Sequence, residues 1–228
     1  LKTVIPVPTI PTLAVLGTDE RFPVRRIYCV GRNYADHARE MGMDPLREPP
    51  FFFGKPSDVV VPGGGVIPYP PQTSNLHYEA ELVVALAKGG RDIPASEASA
   101  CIYGYAVGID LTRRDLQAKA KDNGQPWDTA KGFDHSAPIS VICPVAQVGH
   151  LNVGAIWLSV NGVEKQRGDL SQMTWSVPEV IAHISSYMEL APGDLLFTGT
   201  PAGVGPIVAG DKVLCGIEGL GELAITIV

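Results

Sequence analysis

The stretch His77-Tyr78-Glu79-Ala80-Glu81-Leu82-Val83-Val84-Ala85-Leu86 decides how this chain is read. From Leu82 onward it is apolar and partly β-branched, which predicts a strand entering a core. Side chains alternate across a strand, so His77, Glu79 and Glu81 share one face while Tyr78, Ala80 and Leu82 share the other. Adjacent carboxylates repel, and burying either alone is costly. A hard divalent cation removes both difficulties, because it prefers oxygen ligands and neutralises the pair. A strand whose Glu face meets water fits the same pattern, since antiparallel sheets often keep one wet face.

Outward from that run, short apolar segments alternate with turn residues. Twenty-five glycines and twenty prolines are too many for a helical bundle and punctuate the chain as in a strand-rich fold. Strands are expected at Arg26–Val30, Phe51–Phe53, Ile102–Asp110 and Leu195–Phe197, with two more closing the chain at Lys212–Ile217 and Glu222–Val228. Ala155–Val160 and Val163–Gln166 flank Asn161-Gly162, a hairpin signal. Helices are expected at Tyr34–Met41, Pro94–Cys101 and Thr112–Asp122. Another runs from Ser176, which forms a capping box with Glu179, to Leu190. Val59–Ile67 reads as loop, Lys131–Cys143 as extended chain, and residues 1–22 as a Pro-rich arm that adds a strand or wraps a neighbour. The expected fold class is mostly β with peripheral helices, an α+β domain.

The 228 residues suit one large domain, and 45% hydrophobic with 18% charged residues excludes a largely disordered chain. A formal charge of −6 without a Lys/Arg block offers no footprint for nucleic acid. No apolar run approaches the roughly 20 residues that span a bilayer. The stretch Leu1–Gly17 is broken by Pro6, Pro8 and Pro11 and makes a poor secretory signal. Cys29, Cys101, Cys143 and Cys215 are widely spaced among apolar neighbours. They read as buried free thiols of a cytoplasmic protein rather than a zinc site.

Asp110 ends a strand and precedes a helix, a position from which a third carboxylate could join Glu79 and Glu81 and leave about half an octahedral shell open. It also fits an Asp stabilised by the following helix dipole. His37 and Glu40 lie three apart on one helical face, where a carboxylate raises the basicity of an imidazole. A surface pair without function has the same spacing. Lys55, Arg114, Gln117 and Lys131 are candidates to meet an anionic substrate, or solvated surface groups. The loop Thr198-Gly199-Thr200-Pro201-Ala202-Gly203 lacks the Gly-Lys-Ser/Thr of a P-loop. Its backbone N–H groups and the Thr200 hydroxyl suit a carboxylate better than a nucleotide.

Five blocks in order carry a resemblance: Tyr28-Cys29-Val30-Gly31-Arg32-Asn33-Tyr34, the Glu-x-Glu strand, the Asp110 segment, Trp127 to Lys131, and Thr198-Gly199-Thr200-Pro201. From Arg25 to the C-terminus the chain resembles the fumarylacetoacetate hydrolase family, in its short single-domain branch acting on acylpyruvates such as fumarylpyruvate. The resemblance implies a catalytic domain at 23–228, a roll of mixed β-sheets, and a homodimer. It implies Mg²⁺ or Mn²⁺, with Ca²⁺ able to replace them in a crystal, held by Glu79, Glu81 and Asp110. It makes His37 and Glu40 the pair that activates water, Lys131 a catalytic cation, and Lys55, Arg114, Gln117 and Thr200 substrate-binding residues. Longer members carry a further acidic metal ligand upstream of the His, and its absence here favours small acylpyruvates.

The expected reaction is hydrolysis of a 1,3-diketo acid at a carbon–carbon bond, with fumarylpyruvate from gentisate-type aromatic degradation giving fumarate and pyruvate. The distal carboxylate of that substrate requires one more cation, Arg32 or Arg39. Two other readings stay open: decarboxylation of oxaloacetate at the same site, and a non-catalytic metal- or ligand-binding domain.

Overall fold

The run from Ala80 to Leu86 is buried at every position. In the computed structural model, which describes residues 2–40 and 48–228 (side chains to His37 and from Glu48), this strand lies inside an eight-stranded mixed sheet. The order across that sheet is Phe51–Lys55, Arg26–Gly31, Asp194–Phe197, Ala80–Leu86, Ile102–Ile109, Ala137–Ile139 and Val60–Pro62, with Cys143–Pro144 also paired to Ile102–Ile109.

Both faces of the central strand are covered, which explains its unbroken apolar run. Leu82, Val84 and Leu86 enter a large core shared with a five-stranded sheet and with the helix Val177–Tyr187. That second sheet is ordered Val163–Asp169, Ala155–Val160, Lys212–Ile217, Gly221–Ile227, Gly65–Ile67. Val83 and Ala85 point the other way, into a smaller core with Ile27, Cys29, Ala106, Leu195 and Phe197. The hairpin Thr12–Ala14/Arg21–Pro23 closes that side through Leu13, Val15 and Phe22. Only the first part of the Pro-rich segment therefore projects, with Val4, Ile5, Val7 and Ile10 exposed.

Local signals produce their elements. Asn161 and Gly162 both adopt positive φ, 52° and 79°, as a two-residue type I′ turn requires. Ser176 and Glu179 form the capping box at the helix that ends at Tyr187. The helix after Asp110 begins at Arg114, and the one at Pro94 spans Ala95–Ala98 before a 3₁₀ turn.

Three segments differ from their sequence reading. Val60–Pro62 and Gly65–Ile67 are strands rather than loop, each paired in parallel with a strand far along the chain. Residues Asp128–Lys131 form a helical turn, so Lys131 closes a helix instead of opening an extended segment. The chain also changes sheets at Glu79. Leu76–Tyr78 pairs with Thr112–Arg113 and Gly205–Ile207 in a separate three-stranded sheet, so His77 and Glu81 do not share one continuous strand. Among the described residues no helix is long and apolar enough to cross a membrane.

Candidate active site

Register brings the three acids together. Ala80 pairs with Ile109 and Glu81 with Gly108 in an antiparallel ladder, so the next step places Glu79 opposite Asp110. The Asp110 N–H donates to the Glu79 carbonyl at 2.9 Å and locks that step. Glu79, Glu81 and Asp110 are buried, and each offers an oxygen within 4.8 Å of the others.

A cation network surrounds them. Lys131, itself buried, donates from Nζ to Glu79 Oε2, Asp110 Oδ2 and Thr112 Oγ1, each at 2.7 Å. Arg114 Nη2 lies 2.5 Å from Glu79 Oε1, and Arg114 Nη1 donates to Gln117 Oε1 at 2.6 Å. Lys55 is 2.8 Å from Asp110 Oδ1 and donates to the Leu111 and Lys131 carbonyls. Glu81 Oε2 accepts the Gly199 N–H at 2.7 Å. Gly199 has φ +95°, and a Cβ there would come within 2.7 Å of the Asn33 side chain, so glycine is needed for this approach.

These contacts divide the acids. Burial opposes ionisation of Glu79, but Lys131 and Arg114, then His37, outweigh it and hold its pKa well below the carboxylate range. Burial and the negative charges of Asp110 and Glu79 push Glu81 well above that range. Burial disfavours the Lys131 ammonium, yet Asp110 and Glu79 push its pKa up to about 12. Asp110 Oδ1 meets Lys55 only as an ion pair and has no hydrogen bond. An all-oxygen donor set, a buried oxygen lacking a hydrogen bond, and an acid whose ionisation is opposed by burial and by its two acidic neighbours together fit a hard divalent cation.

One pocket is lined by His37, Glu79, Glu81, Arg114, Gln117, Lys131, Gly199 and Thr200, with Arg32, Phe51, Phe53, Lys121 and Trp127 toward its outer side. It gathers most of the residues the sequence singled out. Lys55, expected among the substrate-binding residues, is fully buried, with its ammonium 2.8 Å from Asp110, and neither Lys55 nor Asp110 is among the residues that line this pocket. The side chain of Glu40 lies outside the described residues, as does that of Arg39.

Sequence reading passed over two buried amides that hold the loops. Gln166 donates to Thr200 Oγ1 and the Pro201 carbonyl, both at 2.8 Å, and accepts the Ala80 N–H at 3.0 Å. Asn33 accepts the Trp175 N–H and donates to the Trp175 and Thr198 carbonyls. Gln166 is a buried polar residue in an otherwise exposed stretch of strand, a contrast that only burial reveals.

The family described as fumarylacetoacetate (FAA) hydrolase C-terminal matches residues 26–228. A fumarylpyruvate hydrolase of Ralstonia sp is 46% identical over 185 residues, covering 81% of this chain and 96% of the relative. A mitochondrial oxaloacetate tautomerase of Arabidopsis thaliana is 45% identical over 198 residues, covering 87% and 88%. The crystal structure of fumarylpyruvate hydrolase from Pseudomonas aeruginosa, in complex with Mn²⁺ and pyruvate, superposes with a TM-score of 0.97. It is 52% identical and covers 100% of this chain and 99% of that one.

Proposed function

Because this chain belongs to the fumarylacetoacetate hydrolase family, we propose that it is a metal-dependent hydrolase that cleaves acylpyruvates at a carbon–carbon bond, with fumarylpyruvate as substrate. The observation that carries this reading is the convergence of Glu79, Glu81 and Asp110 beside Lys131, with Glu79, Glu81, Lys131 and His37 lining one pocket.

The three carboxylates hold Mg²⁺ or Mn²⁺, which when bound supplies Lewis acidity to the keto acid end of the substrate. His37, with Glu40 as its partner, takes a proton from water. The water oxygen then bonds to the ketone carbon farther from the pyruvate carboxylate. The carbon–carbon bond between the two halves breaks, its electron pair passes to the pyruvate half as an enolate, and protonation of that carbon gives pyruvate. The other half leaves as a carboxylic acid. Lys131 and Arg114 steady negative charge developing near Glu79, acting from positions fixed by their ion pairs. Gln117 and Thr200 orient the substrate from the pocket wall.

A second reading is chemistry on oxaloacetate, by tautomerisation or decarboxylation. It is supported by the similarity to the plant tautomerase and by the same keto acid end, and it needs no attacking water. One assay panel separates the readings: fumarylpyruvate, acetylpyruvate and oxaloacetate, each with EDTA and with Mg²⁺ or Mn²⁺ restored. Metal-dependent loss of the diketo acids supports hydrolysis, and a His37→Ala variant should then abolish it. Consumption of oxaloacetate alone overturns the proposal in favour of the second reading. No turnover of any of them leaves a non-catalytic binding domain. The exposed aliphatic side chains of Val4, Ile5, Val7 and Ile10 support a homodimer, which light scattering tests, and four buried, unbridged cysteines support a cytoplasmic setting.

A further inference from the structure

The outer side of the pocket carries two cations with a different environment from the inner ones. Helix Arg114–Asp122 presents Arg114, Gln117 and Lys121 at i, i+3 and i+7, so Lys121 lines the same pocket one turn beyond Gln117. Arg32 follows the strand Arg26–Gly31 and holds φ +64°, a conformation uncommon outside glycine. Each cation lies over an aromatic ring. The Arg32 guanidinium is 4.9 Å from the Phe51 centroid, and Lys121 Nζ is 5.5 Å from the Trp127 ring.

The rings form a strip that leads back to the inner site. Phe51 meets Trp127 edge-on at 5.3 Å, Trp127 meets Phe53 at 5.7 Å, and Lys131 Nζ lies 5.0 Å over Phe53. Gly31 is what lets Phe51 close on the strand, since a Cβ there would fall 2.0 Å from the ring. Lys55, Lys131 and Arg114 are each paired with Glu79 or Asp110. Among the described residues no carboxylate pairs with Arg32 or Lys121. Burial and the charges of Arg114 and Arg32, with a smaller push from Lys131, outweigh the opposing pull of Glu79 and hold the Lys121 pKa below its ordinary value, so positive charge prevails along the outer wall.

We propose that Arg32 and Lys121 seat a second carboxylate, at the end of the substrate remote from the keto acid, so that the site selects diacids over monoacids of equal length. This deepens the proposed function and rests on its keto acid end binding at the three acids. The aromatic strip accommodates a flat, unsaturated linker between the two ends, and of the two arginines left open by the sequence, Arg32 lines this pocket, while the side chain of Arg39 lies outside the described residues.

The test separates binding from turnover. With Mn²⁺-loaded protein, calorimetry compares 2-oxoheptanedioate with 2-oxoheptanoate, neither of which has a 1,3-diketone to cleave. The wild type is expected to prefer the diacid by at least about tenfold, the value of one charge-assisted contact. Arg32→Met and Lys121→Met each reduce that preference, the double variant abolishes it, and Lys121→Arg restores it. In turnover, the ratio of kcat/KM for fumarylpyruvate to that for acetylpyruvate falls in the double variant, chiefly through KM. Equal binding of both acids by the wild type, or an unchanged preference in the double variant, overturns the seat. A diacid preference without cleavage of either diketo acid overturns the hydrolase reading and leaves the seat standing.

Discussion

At and behind the inner end of the pocket the described cations face acids: Lys131 bridges Glu79 and Asp110, Arg114 holds Glu79, and Lys55, buried behind the pocket, meets Asp110. At the outer end Arg32 and Lys121 face rings instead, partly open to solvent. The inner end is a network in which each charge is tolerated in a buried place only because of its neighbours. At the outer end, either cation can be removed without stranding a buried acid. The two ends therefore differ in what a mutation can damage: chemistry and stability inside, substrate choice outside.

The largest expected effect lies at Glu81, whose pKa burial and its acidic neighbours push up. Glu81→Gln is close to isosteric in the protonated state, so the fold should persist while an oxygen donor with negative charge is lost. We expect kcat to fall by at least about a thousandfold, corresponding to about 4 kcal/mol of barrier. Near-normal turnover in a steady-state assay with saturating Mn²⁺ would remove Glu81 from the metal site.

Next is Lys131→Met, which leaves Glu79 and Asp110 buried without their shared ammonium. A loss of about 3–5 kcal/mol in urea unfolding is expected, the usual cost of breaking a buried ion pair from one side. Mn²⁺ should restore part of that loss, because it neutralises the same carboxylates. If the variant is as stable as the wild type without metal, the network is weaker than its 2.7 Å contacts imply.

The pH dependence follows from the raised pKa of Glu81. Without metal, the folded chain keeps a proton there that the unfolded chain has already released. Stability therefore falls as pH rises from the ordinary glutamate range toward the raised value. A cation needs the carboxylate, so its binding expels that proton and its affinity should climb about tenfold per pH unit over the same window. Mn²⁺ titrations at two pH values check the sign; an affinity that falls with rising pH contradicts it.

The smallest effect is expected outside. Arg32→Met should change unfolding free energy by no more than about 0.5 kcal/mol, as for an exposed side chain with no acidic partner among the described residues. A much larger loss would mean that the outer cations hold the fold together, and the contrast between the two ends would disappear.

Much of the fold and of the inner site is legible in the order of residues alone. Leu82–Leu86 announces a strand entering a core, Asn161-Gly162 a hairpin, and Ser176 with Glu179 a helix start, because each signal acts between residues close in sequence. The Glu-x-Glu pattern singles out two acids that do lie together. What stays hidden depends on partners far along the chain. Val60–Pro62 and Gly65–Ile67 become strands only through parallel pairing with Ala137–Ile139 and Gly221–Ile227. Gln166 shows its role only once Ala80 and Thr200 are beside it.

By itself, then, the sequence determined which side chains could do chemistry: three carboxylates, a histidine, several cations and a Gly-rich loop. Tertiary structure decided their assignments. Strand register set Glu79 opposite Asp110, burial put the Lys55 ammonium against Asp110, and helix Arg114–Asp122 put Lys121 beyond Gln117 in the same pocket, beside Trp127. The physical reason is that residue type fixes what a group can donate, accept or charge. Where that group meets a partner, and whether water is excluded when it does, is set by pairings between distant strands.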